Sequence, residues 1–432
     1  MDISIGLAFL IIFGTSFLLM FFRMPIFLCL GGGCMLFMFL TGEVPLAVFG
    51  QGLVNGVSNQ ALIAIALYFL LGGILNHTGL TDRLVEFVKS LIGHIPGALS
   101  HINVLASMVF AGVSGSSLAD TASVGSLMIP MMKKEGYPAG YAAAITQVSS
   151  SIGPIIPPST GMVFLSIYFN VSVRRLFIGG IVPGILLGVT QLIISYYISK
   201  KRNFPCTSFR GWKHVLHTAK GGFFALLLPA GVMVCLLLGI GTVVEIGAAS
   251  VILAMILAAC YKELNIKVVI KALIDVGLQL SAILIMMGAS GVFKWIISRL
   301  GVANYLLEAM TIFGDSPFAV VAFICVVFLI LGCFISSGIL QFVIVPILVP
   351  AFLAIPDLDL IWLCVLLVLV IQIGQNTPPV GSLIYITSSI ADCPASETIK
   401  ESIPYYIGMM ILVAILLVFP PLISWLPSVI MG

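Results

Sequence analysis

Gly112-Val-Ser-Gly-Ser-Ser117 interrupts one apolar run, and Gly153-Pro-Ile-Ile-Pro-Pro158 interrupts the next. Both interruptions return in the second half, as Ser336-Ser-Gly338 and Gly374-Gln-Asn-Thr-Pro-Pro379. The match extends to single residues: Ser114, Pro130, Gln147 and Pro157-Pro158 recur as Ser336, Pro350, Gln372 and Pro378-Pro379. The offsets are 220 to 225 residues in a chain of 432. A small, polar hairpin tip followed by a proline-broken helix therefore occurs twice. Each motif alone has an ordinary reading, the prolines as a kink and the Gly/Ser cluster as close helix packing. Recurrence at a near-constant offset favours a functional one.

Composition says what medium these breaks lie in. The chain is 60% hydrophobic and 8% charged, with a mean hydropathy of +1.23, whereas soluble domains carry about 25% charged residues. Most of the surface must face lipid. A crossing helix needs roughly 20 apolar residues, so the chain has length for about ten to twelve crossings. The long apolar runs exclude the short alternating pattern of an outer-membrane barrel. A net charge of +3 without a basic run excludes a nucleic-acid partner. The nine cysteines are scattered singly and read as small buried hydrophobes. The five histidines support no catalytic triad.

Spans are expected over 3–22 (a retained span, not a signal peptide), 26–42, 51–76, 176–198, 222–240, 245–261, 276–297 and 403–426. Amphipathic segments over 81–94 and 299–314 lie along the interface. Re-entrant hairpins cover 98–134 and 317–355, and broken helices cover 139–171 and 360–390. Residues 1–199 and 221–432 form two repeats, joined by a cytoplasmic linker at 200–220. With both hairpins entering and leaving on one side and the N-terminus outside, 15 of the 19 Lys/Arg face the cytoplasm. The positive-inside rule favours that orientation. It puts the hairpins on opposite faces, so the repeats are inverted. The fold class expected is an all-α polytopic membrane protein with inverted-topology repeats, which points to a secondary transporter whose site lies where the breaks meet.

Irregular backbone is tolerated at membrane depth only inside protein or along a wet cavity. Proline removes an amide donor and clashes with the preceding turn, so each helix must open at its Pro-Pro pair. Opening frees carbonyl oxygens suited to Na⁺ and exposes helix N-termini suited to an anion. The hydroxyls of Ser149, Ser150, Ser151, Ser159, Thr160, Thr377 and Ser382 and the amides of Gln375 and Asn376 lie around the breaks. Asp120 is the one carboxylate placed inside a hairpin near its tip. It reads either as a cation or proton site or as an N-cap or hydrogen-bond anchor of the second arm. Lys294, inside an apolar run, reads as a snorkelling residue, with attraction of an anion as the alternative.

These residues resemble a known family, the large membrane subunit of tripartite ATP-independent periplasmic (TRAP) transporters. The matches are Ser114-Gly-Ser-Ser-Leu-Ala-Asp-Thr-Ala122 with Pro130-Met-Met132, Pro154-Ile-Ile-Pro-Pro-Ser159, Val182-Pro-Gly-Ile-Leu-Leu-Gly188, Glu245 in Val-Glu-Ile-Gly-Ala, and Thr377-Pro-Pro-Val-Gly381. The resemblance spans essentially the whole chain. It implies an elevator-type Na⁺ symporter of the inner membrane, not an enzyme, with no organic cofactor. It also implies a small membrane subunit and a periplasmic binding protein that delivers a carboxylate. Family members often carry Asp at the second hairpin tip, where this chain has Ser336, and a small neutral residue where it has Lys294. Arg23-Met-Pro25 is only loosely similar.

Together these readings assign Na⁺ to Ser114, Gly115, Asp120, Ser151, Gly153 and Pro154 around the first tip and break, and to Gly338, Gly374, Thr377 and Pro378 around the second. The carboxylate is expected between the tips, at Ser114, Ser116, Ser117, Ser159, Thr160, Ser336, Ser337, Asn376 and Thr377. A stand-alone carboxylate symporter of the same architecture is the nearest alternative. An intramembrane enzyme using Asp120 and a serine is disfavoured because no base is paired with that acid. A channel is disfavoured because paired re-entrant elements in inverted halves fit alternating access better.

Overall fold

In a computed structural model, residues 5–22, 24–42, 45–206, 211–302, 305, 308 and 316–432 are described; among them the chain is helical, with no strand. The first half runs α1 (Ile5–Phe21), α2 (Ile26–Thr41), α3 (Leu46–Val57), α4 (Ala61–His77) and α5 (Leu80–Ile92). The first hairpin follows as α6 (Ala98–Ser114) and α7 (Ser117–Lys134), then a broken helix, α8 (Ala139–Ser150) and α9 (Thr160–Phe169), and then α10 (Val173–Arg202).

The second half runs α11 (Trp212–Leu238), α12 (Val243–Cys260) and α13 (Ile266–Arg299). Its hairpin is α14 (Pro317–Phe334) with α15 (Ser337–Leu353), which includes one π-helical turn over Leu340–Ile344. The second broken helix is α16 (Leu360–Asn376) with α17 (Ser382–Ala391), followed by α18 (Ala395–Val418) and α19 (Pro421–Met431). Hairpin, broken helix and long helix thus come twice in the same order.

Several expectations are revised. The span read over 51–76 is a pair, α3 and α4, bent by 52°. At the bend the Asn59 side-chain oxygen accepts from Ala61 N, the first residue of α4, at 2.9 Å, an Asx turn. The stretch read over 403–426 as one span stops at Val418, because the rings of Pro420 and Pro421 cannot continue the ladder, and α19 starts at Pro421, where a first-turn proline is tolerated. The 200–220 linker is helical at both ends, since α10 reaches Arg202 and α11 begins at Trp212. The interfacial segment over 299–314 lies mostly outside the described residues, as do Arg23 and Arg210. Five single helices among the described residues are long and apolar enough to cross a membrane, six with the bent pair. Shorter apolar helices include α2, the α6 arm of the first hairpin, and the pieces α9, α16 and α17 of the broken helices.

Two sets of helices pack internally. One joins α1 to α2, α3 and α4 to α13, α4 to α12, and α5 to α11. The other gathers both hairpins and both broken helices with α10, α18 and α19. In it α8 touches α6, α7, α17 and α18, and α14 lies along α16. At its centre is α16, where Leu363 to Ile371 have no exposed surface, as expected of a helix apolar on every side. By contrast, only 11% of the most apolar window of α13 is buried.

The α14–α16 crossing depends on facing glycines. A Cβ built on Gly374 would lie 2.7 Å from the Gly332 Cα, and one on Gly332 would lie 2.9 Å from the Gly374 Cα. Helices approach this closely only where side chains are absent. Gly374→Ala is therefore expected to lower stability by about 1–3 kcal/mol through overpacking, read as a lower midpoint of thermal unfolding in detergent.

Candidate functional site

The first hairpin turns at Gly115, which adopts a left-handed conformation (φ +57°), and restarts at Ser116, whose hydroxyl accepts from Ala119 N at 3.5 Å. The Gly115 carbonyl then accepts from Thr160 N at 3.4 Å and Thr160 Oγ1 at 3.0 Å. The first tip is thus docked on the first break. The second tip docks in the same manner, its Cys333 carbonyl accepting from Val380 N at 3.1 Å. Pro157-Pro158 and Pro378-Pro379 are both cis.

The second break also receives the first hairpin. Ser117 Oγ donates to Gln375 Oε1 at 3.5 Å, and Gln147 Nε2 of α8 donates to the Asn376 carbonyl at 2.7 Å and to the Tyr406 hydroxyl at 2.9 Å. Both hairpins therefore abut the Gln375–Val380 segment. Gln147→Leu, which removes the donor to Asn376 O at a fully buried position, is expected to cost about 1–3 kcal/mol. The check is thermal unfolding, with the Tyr406→Phe variant as comparison.

The candidate residues divide by what already occupies their polar atoms. Ser159 caps α9, accepting from Met162 N at 3.2 Å and donating to the Pro154 carbonyl. Ser151 donates to Val148 O at 2.6 Å and Thr377 to Ile373 O at 2.7 Å, while Thr160 is spent on docking. These hydroxyls shape the breaks, and their protons are not free for a carboxylate. Gly153 lies against the first tip, a built Cβ falling 3.4 Å from Ser116 O. Ser336 is exposed and Ser337 half-buried, and the Gly338 position faces Met286 of α13. Ser336 lines an apolar cavity of about 380 Å³ shared with Phe13, Ser16 and Cys29 of α1 and α2. Gly374 is spent on the helix crossing, and Pro378 is half-buried at the break. Ser114 ends α6, and its side chain lies outside the described residues.

Asp120 lies in the first turn of α7 with no exposed surface, and neither carboxylate oxygen has a hydrogen-bond partner. Since Ser116 caps α7, the N-cap reading of Asp120 fails. The hydroxyls of Ser107 and Ser150 are its polar neighbours, and each is also within hydrogen-bond distance of another acceptor, Ser149 Oγ at 3.0 Å and Thr146 O at 2.8 Å. Gln147 Oε1, Gln372 Oε1 and Asn376 Oδ1 are likewise buried and unpartnered. All of these are acceptor oxygens. Native interiors rarely leave such groups unsatisfied.

Sequence reading missed a buried seam that holds α6 to α8. Asn103 Nδ2 donates to Thr146 Oγ1 at 2.6 Å, Ser149 Oγ donates to Asn103 Oδ1 at 3.1 Å, and Ser107 Oγ joins through Ser149. Its signal was the i, i+4 pair Asn103 and Ser107 in an apolar arm. Glu245, part of one family-like motif, closes a capping box with Thr242 at the start of α12. Lys294 is exposed, its ammonium 5.9 Å from the Tyr168 ring centre.

Comparison with known proteins follows from this geometry. Among solved structures, the YdaH transporter of Alcanivorax borkumensis superposes with a TM-score of 0.64 at 15% identity, covering 85% of this chain and 87% of that one. MtrF of Neisseria gonorrhoeae gives 0.62 at 13%, covering 87% and 84%; both likenesses concern the fold alone. In sequence, the sialic acid TRAP transporter large permease SiaM of Vibrio cholerae is 31% identical over 96% of this chain and 97% of its own. The C4-dicarboxylate large permease DctM of the same species is 29% identical over 99% and 98%. The 2,3-diketo-L-gulonate large permease YiaN of Escherichia coli is 29% identical over 89% and 91%. The sequence model described as "Tripartite ATP-independent periplasmic transporter, DctM component" matches residues 13–422. With nearly its whole length matched, this chain belongs to the DctM family of TRAP transporter large permeases, and is a multi-pass membrane transport protein, not an enzyme.

Proposed function

We propose that this chain is the permease of a Na⁺-coupled importer whose cargo is a small carboxylate, handed over by a periplasmic binding protein. The observation that carries the coupling is the set of buried, donor-less oxygens: both of Asp120, with Gln147 Oε1, Gln372 Oε1 and Asn376 Oδ1, beside the two breaks. A hard monovalent cation is stabilised by uncharged and carboxylate oxygens of this kind. Na⁺ is co-transported cargo here. It occupies Asp120 and the Gly115, Gly153 and Pro154 region in one half, and the Gly338, Gly374 and Pro378 backbone in the other. The tip at Ser336 offers carbonyls and hydroxyls in place of an acid.

Ser116, Ser336, Ser337 and Asn376 are the groups proposed to meet the carboxylate; the Ser117 proton is held by Gln375. Its chemical class follows relatives named for sialic acid, C4-dicarboxylate and diketogulonate transport. The internally packed set of hairpins, broken helices, α10, α18 and α19 moves as one body against α1–α5 and α11–α13, an elevator. The exposed apolar face of α13 suits lipid or a small membrane subunit. The bias of basic residues supports a periplasmic N-terminus.

The test is uptake of a labelled carboxylate into proteoliposomes holding this chain and its small subunit, with the binding protein outside. Uptake is expected to require an inward Na⁺ gradient. Equal uptake with K⁺ replacing Na⁺ would overturn the coupling, and equal uptake without the binding protein would overturn the delivery step.

A further inference from the structure

We propose that a polar cleft between the first hairpin and the scaffold is the surface along which that hairpin slides, and that the hydrogen bond from Ser123 to Asn76 is the clasp across it. This rests on the elevator reading above. The cleft encloses about 490 Å³ and is lined by Asn76 and His77 of α4, Asp275 and Gln279 of α13, and Ser123 and Ser126 of α7. On the scaffold side, His77 Nε2 lies 2.8 Å from Asp275 Oδ2, tying α4 to α13, so that Asn76 is presented by a braced wall. On the hairpin side, Ala119, Ala122, Ser123 and Ser126 follow i, i+3, i+4 and i+7 spacing, a face of α7 made mostly of small side chains with Leu127 at its edge. Across the gap Ser123 Oγ donates to Asn76 Oδ1 at 3.0 Å.

The location of this bond is what makes it suited to opening. The internal links of the hairpin are dry: Asn103, Ser107, Thr146 and Ser149 have no exposed surface, and separating them would strand polar groups at the full desolvation cost. Asn76 is exposed and Ser123 half-exposed, so water replaces the bond as soon as it breaks. A contact of this kind biases one conformation by about 3- to 10-fold without locking it. The hairpin also packs on α4, α5 and α11 through α6; at the cleft, motion between the two sets of helices meets the clasp as its polar checkpoint.

The test uses Asn76→Cys with Ser123→Cys in the full reconstituted system, with the exposed Cys206 and Cys260 replaced by serine. A short bis-methanethiosulfonate cross-linker is expected to bridge the pair and cut Na⁺-driven uptake at least 10-fold. Reductant restores it, and either single cysteine treated alike keeps its rate. Failure to bridge overturns the clasp and leaves the elevator standing, whereas bridging with undiminished uptake overturns the moving hairpin itself. A second measurement needs no cysteine. Asn76→Ala and Ser123→Ala are each expected to change turnover about 3- to 10-fold, and the double variant no further, because both remove one bond. Wild-type turnover in the single variants, or fully multiplied effects in the double, overturns the clasp.

Discussion

Asp120→Asn is expected to give a folded protein whose Na⁺-driven uptake falls by at least about 10-fold, the scale on which loss of supporting groups weakens an ion site. The reason lies in what Asp120 does not do. It caps no helix, that role belonging to Ser116, and it accepts no hydrogen bond although it is fully buried. An ionised carboxylate without a partner is costly inside a protein, so neutralising it without Na⁺ should leave thermal stability unchanged or raised. Added Na⁺ stabilises a protein that binds it only when folded. The upward shift of the unfolding midpoint with NaCl should therefore be present in wild type and shrink in Asp120→Asn. The reverse pattern, a lower midpoint without Na⁺ and an undiminished response to it, would make Asp120 a structural anchor and remove the central support for Na⁺ coupling.

Gly115→Ala should be more damaging, and for a geometric reason. The residue holds φ at +57°, which costs an L side chain about 1–2 kcal/mol. The added Cβ would also lie 2.3 Å from the Pro158 carbonyl oxygen. That atom is rigid backbone, so relief requires the tip to leave the break, which breaks both bonds from Thr160 to Gly115 O. Uptake should be lost, and protease cleavage near the tip should accelerate in detergent-solubilised protein. Thr160→Val, which removes only the 3.0 Å side-chain bond and keeps the backbone one, should cost about 0.5–1.5 kcal/mol and retain partial uptake. Near-normal uptake in Gly115→Ala would show that the docked tip is not required for transport.

What was legible in the sequence was local. Gly115 with Ser116, and Pro157-Pro158 with Pro378-Pro379, act on the backbone within a turn of themselves, so the hairpin tips and breaks fall where punctuation places them. The same signal at Pro420-Pro421 was overlooked because the apolar run continues past it. The use of each hydroxyl was not legible. Ser159, Ser151 and Thr377 are close to the breaks in sequence, yet their protons go to nearby carbonyls, a choice set by side-chain rotamers. Pairings such as Gln147 with the Asn376 carbonyl or Asn103 with Thr146 join residues 229 and 43 positions apart. No periodicity encodes such pairs, since they exist only once the helices have packed. Asp120 was flagged from the sequence, but that it lacks any partner is a property of the assembled interior.

The seam joining Asn103, Thr146, Ser149 and Ser107 has a consequence for access to the site. A re-entrant hairpin invites comparison with a lid that swings open while the rest of the protein stays put. This hairpin is riveted along its first arm by dry hydrogen bonds that water cannot replace, and pinned at its tip by Thr160. Opening it as a separate flap would break both sets of bonds. On the elevator reading proposed above, cargo would reach and leave the site as the wall opposite the hairpin changes, with one surface serving as the door on both sides of the membrane.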